Sequence, residues 1–225
     1  MQTAIVVYAF DKVPDIESLL EDFLVIIVAE NSFVGSINPA AIVLRNKNRL
    51  GEALSLKRGF EFALKTKPDF VVSYPGDNSY NWQSIYSMMT LTEQADLVIG
   101  SRLLPFSSYE GSSAGTLLTG WVCRQLQANT KQRDWDSALR IYSADLLKSL
   151  LSYTYLSLGS GAYQIELLAR ANELGATVIE YPVSFRSCPK TLEGHFSELE
   201  EKVKVLHSLL GYTEKPSLFT REDIR

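Results

Sequence analysis

Short, wholly apolar runs alternate with amphipathic stretches along the first hundred residues, and few folds accept that order. "AIVVYAF" (4–10), "LVIIVAE" (24–30), "AAIVLR" (40–45), a run at 69–74 and "ADLVIGS" (95–101) read as strands. Between them lie helical patterns at 14–23, 50–65 and 81–93. The segment 50–65 repeats Leu50, Ala53, Leu54, Phe60, Ala63 and Leu64 near helical spacing. Strands that are apolar on both sides need cover on both faces, which predicts a mostly parallel, Rossmann-like sheet with helices on either side. Such α/β sheets place their sites at the carboxyl ends of strands.

One strand ends suggestively. In "DFVVSYPGDNSYNW" (69–82) a buried run breaks at Pro75 and Gly76, and Asp77 and Asn78 follow at once. Pro, Gly, Asp and Asn form turns for local reasons alone. The position after a parallel strand favours the other reading, in which Asp77 meets a metal or a phosphate.

The second half is less regular. "LPFSSYEGSSAGT" (104–116) is rich in Ser and Gly and reads as a mobile loop, a candidate lid. Helices are expected at 117–130, 144–151, 162–175 (closed by Gly175) and 196–211, with a strand at 177–185 that Pro182 confines to an edge. Residues 1–211 read as a single domain and 212–225 as a polar tail.

With 225 residues, 46% hydrophobic and 21% charged, the chain can bury a sizeable core. A net charge of −4 and no basic run argue against a nucleic-acid partner. Cys123 and Cys188 lack metal-ligand spacing and fit a reducing compartment. No window approaches eighteen apolar residues, and the N-terminus lacks the pattern of a signal peptide. A cytoplasmic location is expected, with attachment at the inner membrane face left open.

Several phrases in serial order resemble the family 2 glycosyltransferases of GT-A fold, especially the dolichyl- and polyprenyl-phosphate sugar transferases. They are "NRLGEALSLKRGFEFA" (48–63), "DFVVSYPGDN" (69–78), "ADLVIGSRLL" (95–104), "DWDSALRIYSADLLKSL" (134–150) and "AYQIELLARANELGATVIEYPVSF" (162–185). The resemblance implies inverting transfer of a sugar from a nucleoside diphosphate sugar to a sugar or lipid-phosphate acceptor. It also implies Mg²⁺ or Mn²⁺ on an Asp-x-Asp turn, of which Asp77 keeps the last acid while Pro75 replaces the first. One protein carboxylate can suffice for such an ion, because phosphate oxygens and waters fill the remaining positions.

On the same resemblance Tyr8, Phe10, Glu30, Asn48, Gly51 and Gly76 are candidate donor- or phosphate-binding residues. Arg102 and Arg140 are its candidate phosphate cations, since a guanidinium can grip phosphate with two donors. Asp134 and Glu166 are its catalytic acids near the acceptor, Asp134 as a proton acceptor when the acceptor is a hydroxyl. Arg186, Lys190 and Lys202 lie near where membrane-associated relatives carry a basic segment for lipid phosphate, though "RSCPKTLEGH" keeps only an Arg and a Lys without its spacing. Three departures, Lys12, Ala29 and Pro75, fall in the donor pocket. They keep a second reading in view, a degenerate GT-A protein that binds a sugar, a nucleotide or a protein without turnover.

Overall fold

The structure is a computed structural model that describes residues 1–9, 16–30, 37–111, 114–126, 131–153, 162–186, 200, 202–205 and 208. Phe10, Lys12 and Lys190 lie outside them.

The chain order is β1 (Thr3–Ala9), α1 (Glu17–Asp22), β2 (Leu24–Ala29), β3 (Ile42–Arg45), α2 (Glu52–Lys65), β4 (Phe70–Pro75), α3 (Ser84–Met89) and β5 (Leu97–Ser101). Then follow β6 (Ser108–Glu110), α4 (Ala114–Leu126), β7 (Arg140–Ser143), α5 (Ala144–Leu151), α6 (Tyr163–Glu173), β8 (Val178–Pro182) and β9 (Ser184–Arg186). Seven strands form one sheet in the order β3-β2-β1-β4-β7-β5-β8. All its pairings are parallel except those of β7, which runs antiparallel to both β4 and β5. The expectation of a mostly parallel α/β sheet holds, and β8 is the edge strand that Pro182 requires.

Strand periodicity builds the two layers. Ala4, Val6, Ile26 and Val28 face α2, α5 and α6, packing with Leu56, Phe60, Leu147 and Leu168. Their neighbours Ile5, Val7, Val25 and Ile27 face the other way, against Leu19 of α1 and Ile85 and Met88 of α3. Gly59 lets α2 lie close on β1, because a Cβ there would stand 2.3 Å from Val6 Cγ1.

One expectation is corrected. The Ser- and Gly-rich stretch 104–116 is not wholly loop, since it holds β6 and the start of α4. The cause is tertiary. β6 pairs with β9, and the Tyr109 ring lies 5.0 Å from that of Phe185. In "RDWDSALRIYS" only Arg140–Ser143 is extended, and it supplies the antiparallel strand between β4 and β5.

Candidate functional site

The parallel strands β1, β2 and β4 end side by side, and the donor half of the candidate site is built on those ends. Tyr8 pairs in register with Pro75. The next N–H, that of Gly76, donates to Tyr8 O at 2.8 Å. A Cβ on Gly76 would lie 2.3 Å from the same oxygen, so only glycine allows this crossing. Asn78 takes a positive φ of 62° and completes the turn. Asp77 is exposed at its apex, and its Oδ1 accepts from Ser79 N at 3.0 Å and Ser79 Oγ at 2.5 Å. No partner is recorded for Oδ2 among the described residues.

Glu30 follows β2 and is fully buried. Its Oε2 accepts from Leu50 N at 3.1 Å, and its Oε1 from Gly51 N at 2.9 Å and Ser55 Oγ at 3.1 Å. Burial first, then the charges of Glu30 and Glu52, push the Tyr8 hydroxyl up to about 12 against the opposing pull of Arg49. Gly51 has φ 81° and starts α2 without a side-chain cap, so Glu30 satisfies donors that the helix end leaves open. Glu30 therefore holds up the donor loop, and its carboxylate is spent on that task.

A cavity of about 370 Å³ opens between these parts, lined by Tyr8, Arg49, Gly51, Glu52, Pro75, Gly76 and Asp77. Asn48 is exposed on the loop leading to Gly51. The amino end of α2 favours an anion there, while Glu52 and Asp77 oppose one and Arg49 is the lining cation. A divalent ion on Asp77 would redress that balance for a diphosphate, so the donor set fits a hard cation held by one carboxylate. Among the described residues no cluster of three metal-ligating side chains competes with it. A larger depression of about 780 Å³ lies at the amino end of β4, lined by Asp69 and Ser143 among others, away from Asp77.

The second half of the site is an ion network at the end of β5. Arg102 N and Nε donate to Asp134 Oδ2 at 2.7 and 2.8 Å, and Nη2 reaches Oδ1 at 2.5 Å. Nη2 also bonds Asp136, whose other oxygen takes Lys202 Nζ at 2.6 Å. Glu180 of β8 accepts from the backbone N–H groups of Arg133 and Asp134 at 2.9 and 2.8 Å. The Arg102 guanidinium lies 5.1 Å from the Phe185 ring centre. In this arrangement Asp134 and Arg102 answer each other rather than a ligand.

The sequence places these groups in one site, and the structure divides them. Tyr8, Glu30, Gly51, Gly76 and Asp77 come together around the cavity. Arg140 does not join them. It is fully buried and donates to the carbonyls of Ser137, Trp135 and Gln164 at 2.9, 2.7 and 2.7 Å, so it braces the 135–137 turn and is withdrawn from phosphate. Glu166 is fully buried in the first turn of α6. Sequence reasoning missed Arg49 and Glu180. Arg49 was within reach, two residues before the glycine that opens α2.

No protein-family model matches the chain. Among curated proteins it is similar to the undecaprenyl-phosphate mannosyltransferase of Micrococcus luteus, 24% identical over 151 residues. That match covers 66% of this chain and 62% of the relative, so it spans less than two thirds of the relative's length. Among solved structures it is similar to glucosyl-3-phosphoglycerate synthase from Mycobacterium tuberculosis in complex with uridine diphosphate, with TM-score 0.67 and 17% identity over 95% of this chain and 81% of that one. The same enzyme in complex with Mn²⁺, uridine diphosphate and phosphoglyceric acid gives a TM-score of 0.69 at 17% identity, over 95% of this chain and 80% of that one.

The fold is that of the GT-A glycosyltransferases. The resemblance to family 2 glycosyltransferases of that fold is borne out by the two comparisons together. Among the described residues no helix is long and apolar enough to cross a membrane.

Proposed function

We propose that the protein is a glycosyltransferase that moves a sugar from a nucleoside diphosphate sugar to an acceptor with inversion, aided by Mg²⁺ or Mn²⁺. The observation that carries this reading is Asp77. Its carboxylate stands at the carboxyl end of β4, beside Arg49 and the amino end of α2, in a cavity at the strand ends where α/β sheets bind ligands.

Asp77 would hold the metal, and a bound divalent ion supplies positive charge against the negative charge that develops on the leaving diphosphate. Arg49 and the first N–H groups of α2 would bind the phosphates, with Tyr8 forming the wall beneath them. Glu30 keeps Leu50 and Gly51 in place for that contact. Uridine diphosphate is the first donor nucleotide to test, because the structural neighbours bind it.

The acceptor proposed is a phosphate-bearing molecule. The similar mannosyltransferase carries undecaprenyl phosphate in its name, and the similar synthase is complexed with phosphoglyceric acid. A phosphate is already anionic and needs no general base. This suits the state of Asp134, whose oxygens are occupied by Arg102. Asp134 then orients groups rather than taking a proton.

The test is product formation. The chain is incubated with UDP-glucose or GDP-mannose, Mn²⁺ and undecaprenyl phosphate or 3-phosphoglycerate, and products are read by mass spectrometry. A glycosyl phosphate or glycosylated phosphoglycerate, lost in Asp77→Ala, is expected. Absence of any transfer across this panel, with the folded protein confirmed, would count against the reading.

A further inference from the structure

The helical residues 202–205 reach into the ion network, and nothing in the proposed transfer needs them there. Lys202 is 6% exposed, and its ammonium meets Asp136. Val203 and Val205 beside it are also buried. Among the described residues, the four charged side chains Arg102, Lys202, Asp134 and Asp136 balance at two positive and two negative charges. All are at most a tenth exposed. Removing one charge from such a group leaves its partner buried and uncompensated, which costs far more than the intact pair contributes.

The network also touches the donor turn. Tyr80, three residues after Asp77, packs its ring 4.9 Å from that of Phe185. Its hydroxyl lies 3.1 Å from Ser137 Oγ and accepts from Ala138 N at 3.4 Å. Arg186 N donates to Ser79 O at 2.8 Å. The segment 131–139 and the turn carrying Asp77 therefore share supports.

We propose that Lys202 is a positioning residue. Through Asp136 and Arg102 it fastens the segment 131–139, and with it Asp134 and the support under the Asp77 turn, to the helical residues 202–205. Without Lys202, Asp136 competes alone for Arg102 and draws it from Asp134. Loss of both Lys202 and Asp136 leaves Arg102 and Asp134 as a balanced pair. The inference concerns the protein's own geometry, so a failure to bind any nucleoside diphosphate would sink the transfer reading and leave this one standing.

Two measurements test it together. In the native chain, Lys202→Met lowers the melting temperature by roughly 6–20 °C, the range expected when a buried ion pair is broken in a domain of this size. Lys202→Arg recovers most of that loss, and Lys202→Met with Asp136→Asn loses clearly less than the two single losses added. The second measurement reads the loop itself. Trp135 is fully buried there and is one of 3 tryptophans, so Trp82→Phe with Trp121→Phe isolates its emission. In the folded protein at 25 °C, Lys202→Met shifts that emission to the red, and Lys202→Arg returns it. Additive stability losses, or unchanged Trp135 emission in folded Lys202→Met, would overturn the proposal.

Discussion

Gly76 and Tyr8 meet backbone to backbone, with the Gly76 N–H 2.8 Å from the Tyr8 carbonyl and no room for a Cβ between them. The contact fixes the height of the Asp77 turn above β1. Gly76→Ala puts a methyl 2.3 Å from a backbone oxygen that has no rotamer to escape into. We expect a loss of about 1–3 kcal/mol, in the range for forced overpacking. Urea unfolding measures it, and the metal-dependent binding of UDP should weaken in parallel.

Glu30 offers a cleaner separation of support from contact. Its carboxylate accepts from two backbone N–H groups and a hydroxyl while fully buried. Glu30→Ala strands those donors and should cost about 1–3 kcal/mol by urea titration. The affinity for UDP should fall because the loop bearing Arg49 loosens. Unchanged stability would mean that water replaces the carboxylate without loss.

Much of this was legible before any coordinates. Alternating apolar runs gave the layers, because a strand buried on both faces cannot hide its composition. The turn after β4 was visible because Pro75, Gly76, Asp77 and Asn78 act locally. What stayed hidden depends on distant partners. "RIYS" does not say that it runs antiparallel between β4 and β5, since a short strand carries no direction in its sequence. β6 exists because β9 pairs with it. Arg140 and Arg102 look like phosphate ligands in one dimension, and only the fold shows that carbonyls and carboxylates have claimed them.

Acid should find the ion network first. Burial by itself raises the Asp136 carboxyl, but Lys202 and then Arg102 outweigh it and hold it far below the usual carboxylate range. Asp134 and Tyr80 face the same cluster. Because the folded value is depressed, the stabilisation is complete above the ordinary aspartate value near about pH 4 and is lost as pH falls through the folded value. Urea midpoints between pH 2 and 5 should therefore fall less steeply for Asp136→Asn than for the unaltered protein.

The central claim is that Asp77 holds a metal on a nucleoside diphosphate, and thermal shift with UDP tests it most directly. The melting temperature is read with UDP alone, Mn²⁺ alone and both, on the unaltered chain and on Asp77→Ala. A ligand that binds only the folded state raises the midpoint by mass action. The account predicts a rise that needs UDP and Mn²⁺ together and disappears in Asp77→Ala, with the ligand-free midpoint lowered only by the loss of the hydrogen bonds that the exposed carboxylate accepts from Ser79. An equal rise in Asp77→Ala, or none with millimolar UDP or GDP and Mn²⁺ on the unaltered chain, would contradict it.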